Sequence, residues 1–170
     1  MRKLQILKTC IDVFWFTSLI TAVFCLIFIP YMFISGETFD VPIKINGSTI
    51  VLADLFNKII LTVCIIAFYI FAFGVFKLRK LLELFRKRII FEEQNSLLLN
   101  QIGLCFLTAS ILSGLSGFVY VMVKKDDVQV TLSNGFDSFL FTASIGLFFM
   151  VLSEVFKIAK KATQENDLTI

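Results

Sequence analysis

The chain has 170 residues, 58% of them hydrophobic, with 21 Phe, two Pro, one Trp, no His and a net charge of +3. That length fits one domain, and the apolar share is too high for an ordinary water-soluble fold. Without His, the commonest proton shuttle and metal ligand are missing, which excludes His-based catalysis and His-ligated metal sites.

The apolar residues fall in four blocks, Ile11–Ile34, Leu55–Phe76, Ile102–Val123 and Phe136–Val155. Each is about 20 residues or longer, and at about 1.5 Å per residue each spans roughly 30 Å, the thickness of a bilayer's hydrocarbon core. Four apolar helices cannot bury every face in a soluble globule of this size. The expected fold is therefore all-α, a single membrane domain over residues 1–170 with transmembrane helices at about 9–34, 55–90, 92–123 and 136–161. Outer loops are expected at 35–54 and 124–135, carrying a small β-hairpin or sheet.

The first block follows Arg2, Lys3 and Lys8, as a signal peptide would. Its apolar run is too long for a signal core, however, and no small-residue cleavage site follows it. Phe24 stands before Cys25 where a lipoprotein site wants a small residue. The block is kept as the first helix, with Asp12 near its inner end expected to pair with Lys8 one turn back.

The first outer loop contains "VPIKINGSTIVL", residues 41–52. Asn46-Gly47 between two β-prone runs is a strong hairpin signal. Pro42 cannot donate to a ladder, which makes Val41–Ile45 an edge strand. Asn46-Gly47-Ser48 is also formally a glycosylation acceptor, but the turn accounts for the same residues. In the second outer loop Val128–Leu132 alternates in the same way and is expected as a third strand.

After the second block come six basic residues, Lys77, Arg79, Lys80, Arg86, Lys87 and Arg88. Leu78, Leu81, Leu82, Phe85 and Ile89 recur on one helical face. No Gly or Pro lies between Gly74 and Gly103, so the second helix runs on past Lys77, with a joint at Ile89-Ile90-Phe91. Glu83 can pair with Lys87. Basic residues collect on the cytoplasmic side. With both termini inside, that side holds Arg2, Lys3 and Lys8, the six connector residues, and Lys157, Lys160 and Lys161. The outside holds only Lys44, Lys58, Lys124 and Lys125. The expected topology is N-in, C-in. The basic run serves either as a snorkelling anchor on lipid phosphates or as a docking face for a cytoplasmic partner. Direct nucleic acid binding is not expected, because charges held against the membrane leave no room for a duplex.

The third and fourth blocks carry packing signals. Ser110/Gly114 and Ser113/Gly117 are small-xxx-small pairs, and Ser138, Thr142 and Gly146 form a stripe on the fourth helix. Such residues let helices approach closely, in a helix 3–helix 4 contact or in a homo-oligomer. Glu154, near the inner end of the fourth helix, is expected to pair with Lys157. Cys10, Cys25, Cys64 and Cys105 form no CxxC pair and act as small apolar side chains. No Gly-rich phosphate loop, nucleophile elbow or paired-carboxylate motif is present, so neither enzymatic activity nor a cofactor is expected. After Lys161 the terminus carries only acidic charges, Glu165 and Asp167. It either folds back on the basic connector or stays a solvated chain end.

Two stretches carry a family resemblance. "RIIFEEQNSLLLNQIG", residues 88–103, resembles the Phe-x-x-x-Asn…Ile-Gly approach to the third helix in a bacterial membrane family, domain of unknown function 2975. "ENDLTI", residues 165–170, is similar to that family's Glu-Asn-x-Leu-Thr-Ile ending. The resemblance implies a bacterial inner-membrane protein whose gene often neighbours one for a small helix-turn-helix regulator.

Two function classes follow. In the first, a regulatory protein uses a cytoplasmic face of Arg79, Lys80, Arg86, Lys87, Arg88, Phe91, Asn95, Glu165, Asn166 and Asp167 to hold a small DNA-binding regulator. In the second, the chain is a small transporter, channel component or membrane-stress protein. A transporter should carry polar residues at mid-membrane and usually more helices or repeats. The charged residues within the spans, Asp12 and Glu154, lie near helix ends, which favours the first class.

Overall fold

The computed structural model describes residues 2–34, 43–45, 48–50, 54–89, 92–124 and 135–167. Four helices carry the fold: α1 (Arg2–Ile34), α2 (Leu55–Arg86), α3 (Glu93–Lys124) and α4 (Gly135–Asp167). All four are long and apolar enough to cross a membrane. At about 1.5 Å per residue each reaches roughly 48 Å, well beyond a hydrocarbon core of about 30 Å.

The helices are longer than their apolar blocks, and the reason is local. Arg2 to Cys10 contains no helix breaker, so α1 takes in its charged start. Ala162, Thr163, Gln164 and Glu165 likewise offer no stop, and α4 continues to Asp167 rather than ending near 161. Within the acidic terminus, Glu165–Asp167 are thus the last residues of α4. At the α2–α3 joint α2 ends at Arg86, so the break begins at Lys87–Arg88 and takes in Ile89, with Ile90 and Phe91 outside the described residues.

Between α1 and α2, β1 (Ile43–Ile45) pairs antiparallel with β2 (Ser48–Ile50), with Lys44 opposite Thr49. Pro42, Asn46-Gly47 and the strand expected at Val128–Leu132 lie outside the described residues.

Each helix packs chiefly on its neighbours in sequence: α1 on α2, α2 on α3, α3 on α4. Two apolar clusters result. One joins Met32 of α1, Ile60, Leu61 and Ile65 of α2, and Tyr120 of α3. The other lies at the opposite end, where Val75, Leu81, Leu98, Leu99, Ile102 and Phe106 are buried, with Phe149, Leu152 and Phe156 of α4 against them. Phe85 stacks on Phe156 there, ring centroids 5.8 Å apart. This second cluster gives α2, α3 and α4 a shared core beyond the apolar blocks. In α1 only Ser18 and Met32 are buried.

Candidate functional site

The charged end of α2 is built on a well-formed helix stop. Arg88 adopts φ 63°, the left-handed region that favours glycine. The Arg88 amide donates to the Phe85 carbonyl and the Ile89 amide to the Leu84 carbonyl, each at 3.1 Å. These are the two bonds of a Schellman stop, which satisfies carbonyls that have no partner within the helix. Asn95 then clasps the joint from α3, its Nδ2 donating to the Ile89 carbonyl at 2.8 Å. Asn95 is fully buried. It therefore holds the joint's shape and is no docking residue, a correction to the sequence expectation.

The basic residues divide by what they touch. Arg79 reaches α1, where its Nε donates to Asp12 Oδ1 at 2.5 Å and its guanidinium lies 4.9 Å from the Trp15 ring centroid. Asp12 thus pairs across helices with Arg79 and not with Lys8; a guanidinium reaching over an aromatic ring outcompetes a lysine on the same helix. Lys77 reaches α3, donating to Gln101 Oε1 at 2.8 Å above the Phe73 ring. Lys87 stands 4.0 Å from Glu83. Lys80, Arg86, Lys87 and Arg88 are exposed. Phe91 lies outside the described residues.

On α4, Lys157 pairs with Glu154 at 2.9 Å, as the spacing predicts. Lys160 crosses to Glu93 at the start of α3, at 3.2 Å. This cross-helix pair has its base on α4 and its acid on α3. Glu165 is exposed, and Asn166 and Asp167 are the last residues of α4. Nearby, buried Ser153 donates to the Ser96 carbonyl at 2.7 Å.

The small residues do join α3 to α4. Ser110 donates to the Phe139 carbonyl at 2.8 Å, and a Cβ on Gly114 would meet the Phe139 ring at 2.5 Å. The tightest approach is at Gly103 and Gly146, where a Cβ on Gly103 would lie 2.6 Å from the Gly146 carbonyl oxygen. Thr142 is half-buried and Gly117 buried. Ser113 is exposed and bonds its own helix at the Ser110 carbonyl, so it is no part of the contact. The side chain of Ser138 lies outside the described residues.

Sequence reasoning missed Gly103, Ser153, Tyr69 and Lys58. Tyr69 donates to the Ala22 carbonyl at 2.6 Å, and Lys58 to the Met32 carbonyl at 2.9 Å. Together with Arg79 they make three polar rungs from α2 to α1. The rungs recur at about ten or eleven residues, roughly three helical turns. A lone Tyr and a lone Lys in an apolar helix were the available signal. The four cysteines are free, with Cys64 Sγ 3.2 Å from Ser116 Oγ. Among the described residues no group of three or more Cys, Asp or Glu could hold a metal ion.

Four membrane-length helices, joined by small-residue contacts and polar rungs and bearing charge at the α2–α3 joint, define a multi-pass helical membrane protein. The chain belongs to the family described as "Protein of unknown function (DUF2975)", which matches residues 12–170. No curated protein and no solved structure matches it.

Proposed function

We propose that this protein is a non-catalytic interaction protein of a bacterial inner membrane. Its termini are cytoplasmic, and its α2–α3 joint holds a small helix-turn-helix DNA-binding regulator. The observation that carries this reading is the exposure of Arg86, Lys87 and Arg88 on a joint braced by the Schellman stop and the Asn95 clasp. A rigid basic edge favours an acidic partner surface by steering its approach and fixing its register. The hairpin of β1 and β2 then faces outward.

Two measurements test it. Cysteines placed at 46 and 127 should react with an impermeant reagent from outside, and those at 80 and 165 only after permeabilisation. External labelling at 80 would reverse the orientation. A photocrosslinker at 87 should capture a small helix-turn-helix regulator, and Arg86→Glu with Arg88→Glu should abolish capture. Capture unaffected by the charge reversals, or no adduct with the regulator, would sink the docking reading.

A further inference from the structure

Several exposed residues of α2 and α3 fall on two regular lines. On α2, Ile59, Ile66 and Phe73 are exposed at seven-residue spacing, and Lys80 takes the next place. On α3, Leu97, Leu104 and Ile111 are exposed at the same spacing. Seven residues are nearly two helical turns, so each set lies along one side of its helix. Gln101, also exposed, lies between Leu97 and Leu104 on that side of α3, and it accepts the hydrogen bond from Lys77. The Lys77–Gln101 bond joins the two helices beside these lines, with Lys80 one turn further along α2.

The depth of this meeting point is marked independently. Lys77 stands over Phe73, whose ring stacks on Phe76 at 6.5 Å, and Trp15 of α1 lies 5.9 Å from the same Phe76. Aromatic rings with Trp among them, directly below the first charges, are the signature of the headgroup level. Arg79 is directed the other way, onto Asp12 and Trp15. Lys77, held at α3 by Gln101, and exposed Lys80 stand one helical turn apart at this depth.

The geometry points to a seat for one anionic phospholipid on the exposed side of α2, beside Gln101 of α3. Lys77 and Lys80 take the phosphodiester, and the Gln101 amide donates to a phosphate or glycerol oxygen while its Oε1 positions Lys77. The acyl chains run along Phe73 and Leu104. Charge complementarity selects this occupant: two ammonium groups beside exposed apolar side chains match a headgroup whose net charge is negative. A zwitterionic headgroup adds its own cation to the same place and is disfavoured. The seat is separate from the docking edge at Arg86–Arg88, and neither proposal depends on the other.

The test is native mass spectrometry of the full chain released from nanodiscs holding phosphatidylglycerol or phosphatidylcholine. Retained phosphatidylglycerol is expected, weakened about fivefold by Lys77→Gln or Lys80→Gln and about 25-fold by both, at about one lysine's surface attraction each. Lys157→Gln, which removes a cation at the end of α4, should change nothing. Gln101→Leu leaves both charges in place and should still weaken retention, which separates the seat from general charge and from misfolding. Equal retention of phosphatidylcholine by the unaltered chain, or full retention by the double variant, would overturn the assignment. So would displacement by soluble glycerol 3-phosphate, which would make the ligand a free phosphate.

Discussion

The α1–α2 and α3–α4 interfaces solve one problem in opposite ways. Within lipid, helices gain little from burying apolar side chains against each other, because the acyl chains are equally apolar. At α3–α4 the solution is proximity: Gly103 and Gly146 bring two backbones within contact, and Ser110 bonds directly to the facing carbonyl of Phe139. At α1–α2 the solution is reach. Long side chains of α2 extend to α1, where Arg79 meets Asp12, Tyr69 meets Ala22 and Lys58 meets Met32. Met32 lies in the last turn of α1, where carbonyls lack a partner further along the helix and a cation is favoured. The difference shows in burial, since α1 hides only Ser18 and Met32. A contact made by proximity depends on what a residue lacks, and one made by reach depends on what it carries.

The largest expected effect follows from filling the close approach. Gly103→Leu would drive a side chain into the Gly146 carbonyl and Met150, and overpacking of this kind costs about 3 kcal/mol or more. Denaturant unfolding followed by circular dichroism should show the α3–α4 pair lost or severely weakened. Gly114→Ala, facing the Phe139 ring rather than backbone, should cost about 1 kcal/mol, because a ring can swing aside. Equal damage at both sites would mean that backbone proximity is not what matters.

Next comes removal of all three rungs, with Arg79→Ala, Tyr69→Phe and Lys58→Met combined. Interhelical polar contacts in membranes average about 0.6 kcal/mol, and these are far enough apart to add, giving roughly 2 kcal/mol. A cysteine pair at positions 15 and 76, in an otherwise cysteine-free chain, reports the outcome. Disulfide yield between α1 and α2 should fall in the triple variant, while Gly103→Leu should leave it unchanged. If α1 stays in place without its rungs, packing holds it and the contrast between the interfaces collapses.

Ser153→Ala tests whether α3–α4 also relies on hydrogen bonds. Loss of the Ser96 contact should cost about 0.6 kcal/mol, well below the glycine effect. The smallest effect is expected at the joint between the two interfaces. Arg88→Gly relieves a left-handed conformation costing roughly 1 kcal/mol, partly offset by glycine's greater freedom when unfolded. Thermal stability should rise slightly, with both helix pairs unaltered. A loss of stability would show that the Arg88 side chain contributes more than its backbone costs.

The two interfaces also differ in how much of them the sequence revealed. The spans were legible because length and apolar content suffice to place them, and the run of α2 past Lys77 because nothing there can stop a helix. Ser110, Gly114 and Gly146 were legible because small residues at helical spacing are a local pattern. The rungs were not, since two of three end on the carbonyls of Ala22 and Met32, and a backbone acceptor has no sequence identity. Asp12 was assigned to Lys8 because a helix neighbour is visible in the sequence, whereas Arg79 lies 67 residues away. Asn95 looked like a surface residue because it stands among Glu92, Glu93 and Gln94; its burial depends on a joint whose stop required Arg88 in a conformation usually given to glycine.

The serial packing of α1 on α2, α2 on α3 and α3 on α4 bears on how the molecule is made. Chains are synthesised and delivered to the bilayer from the N-terminus. Here each newly delivered helix finds a partner already waiting, because each packs on the helix before it. The rungs of α1 can close once α2 arrives, and the glycine contact of α3 needs only α4. No helix has to wait beside foreign chains for a distant mate, so assembly can keep pace with translation.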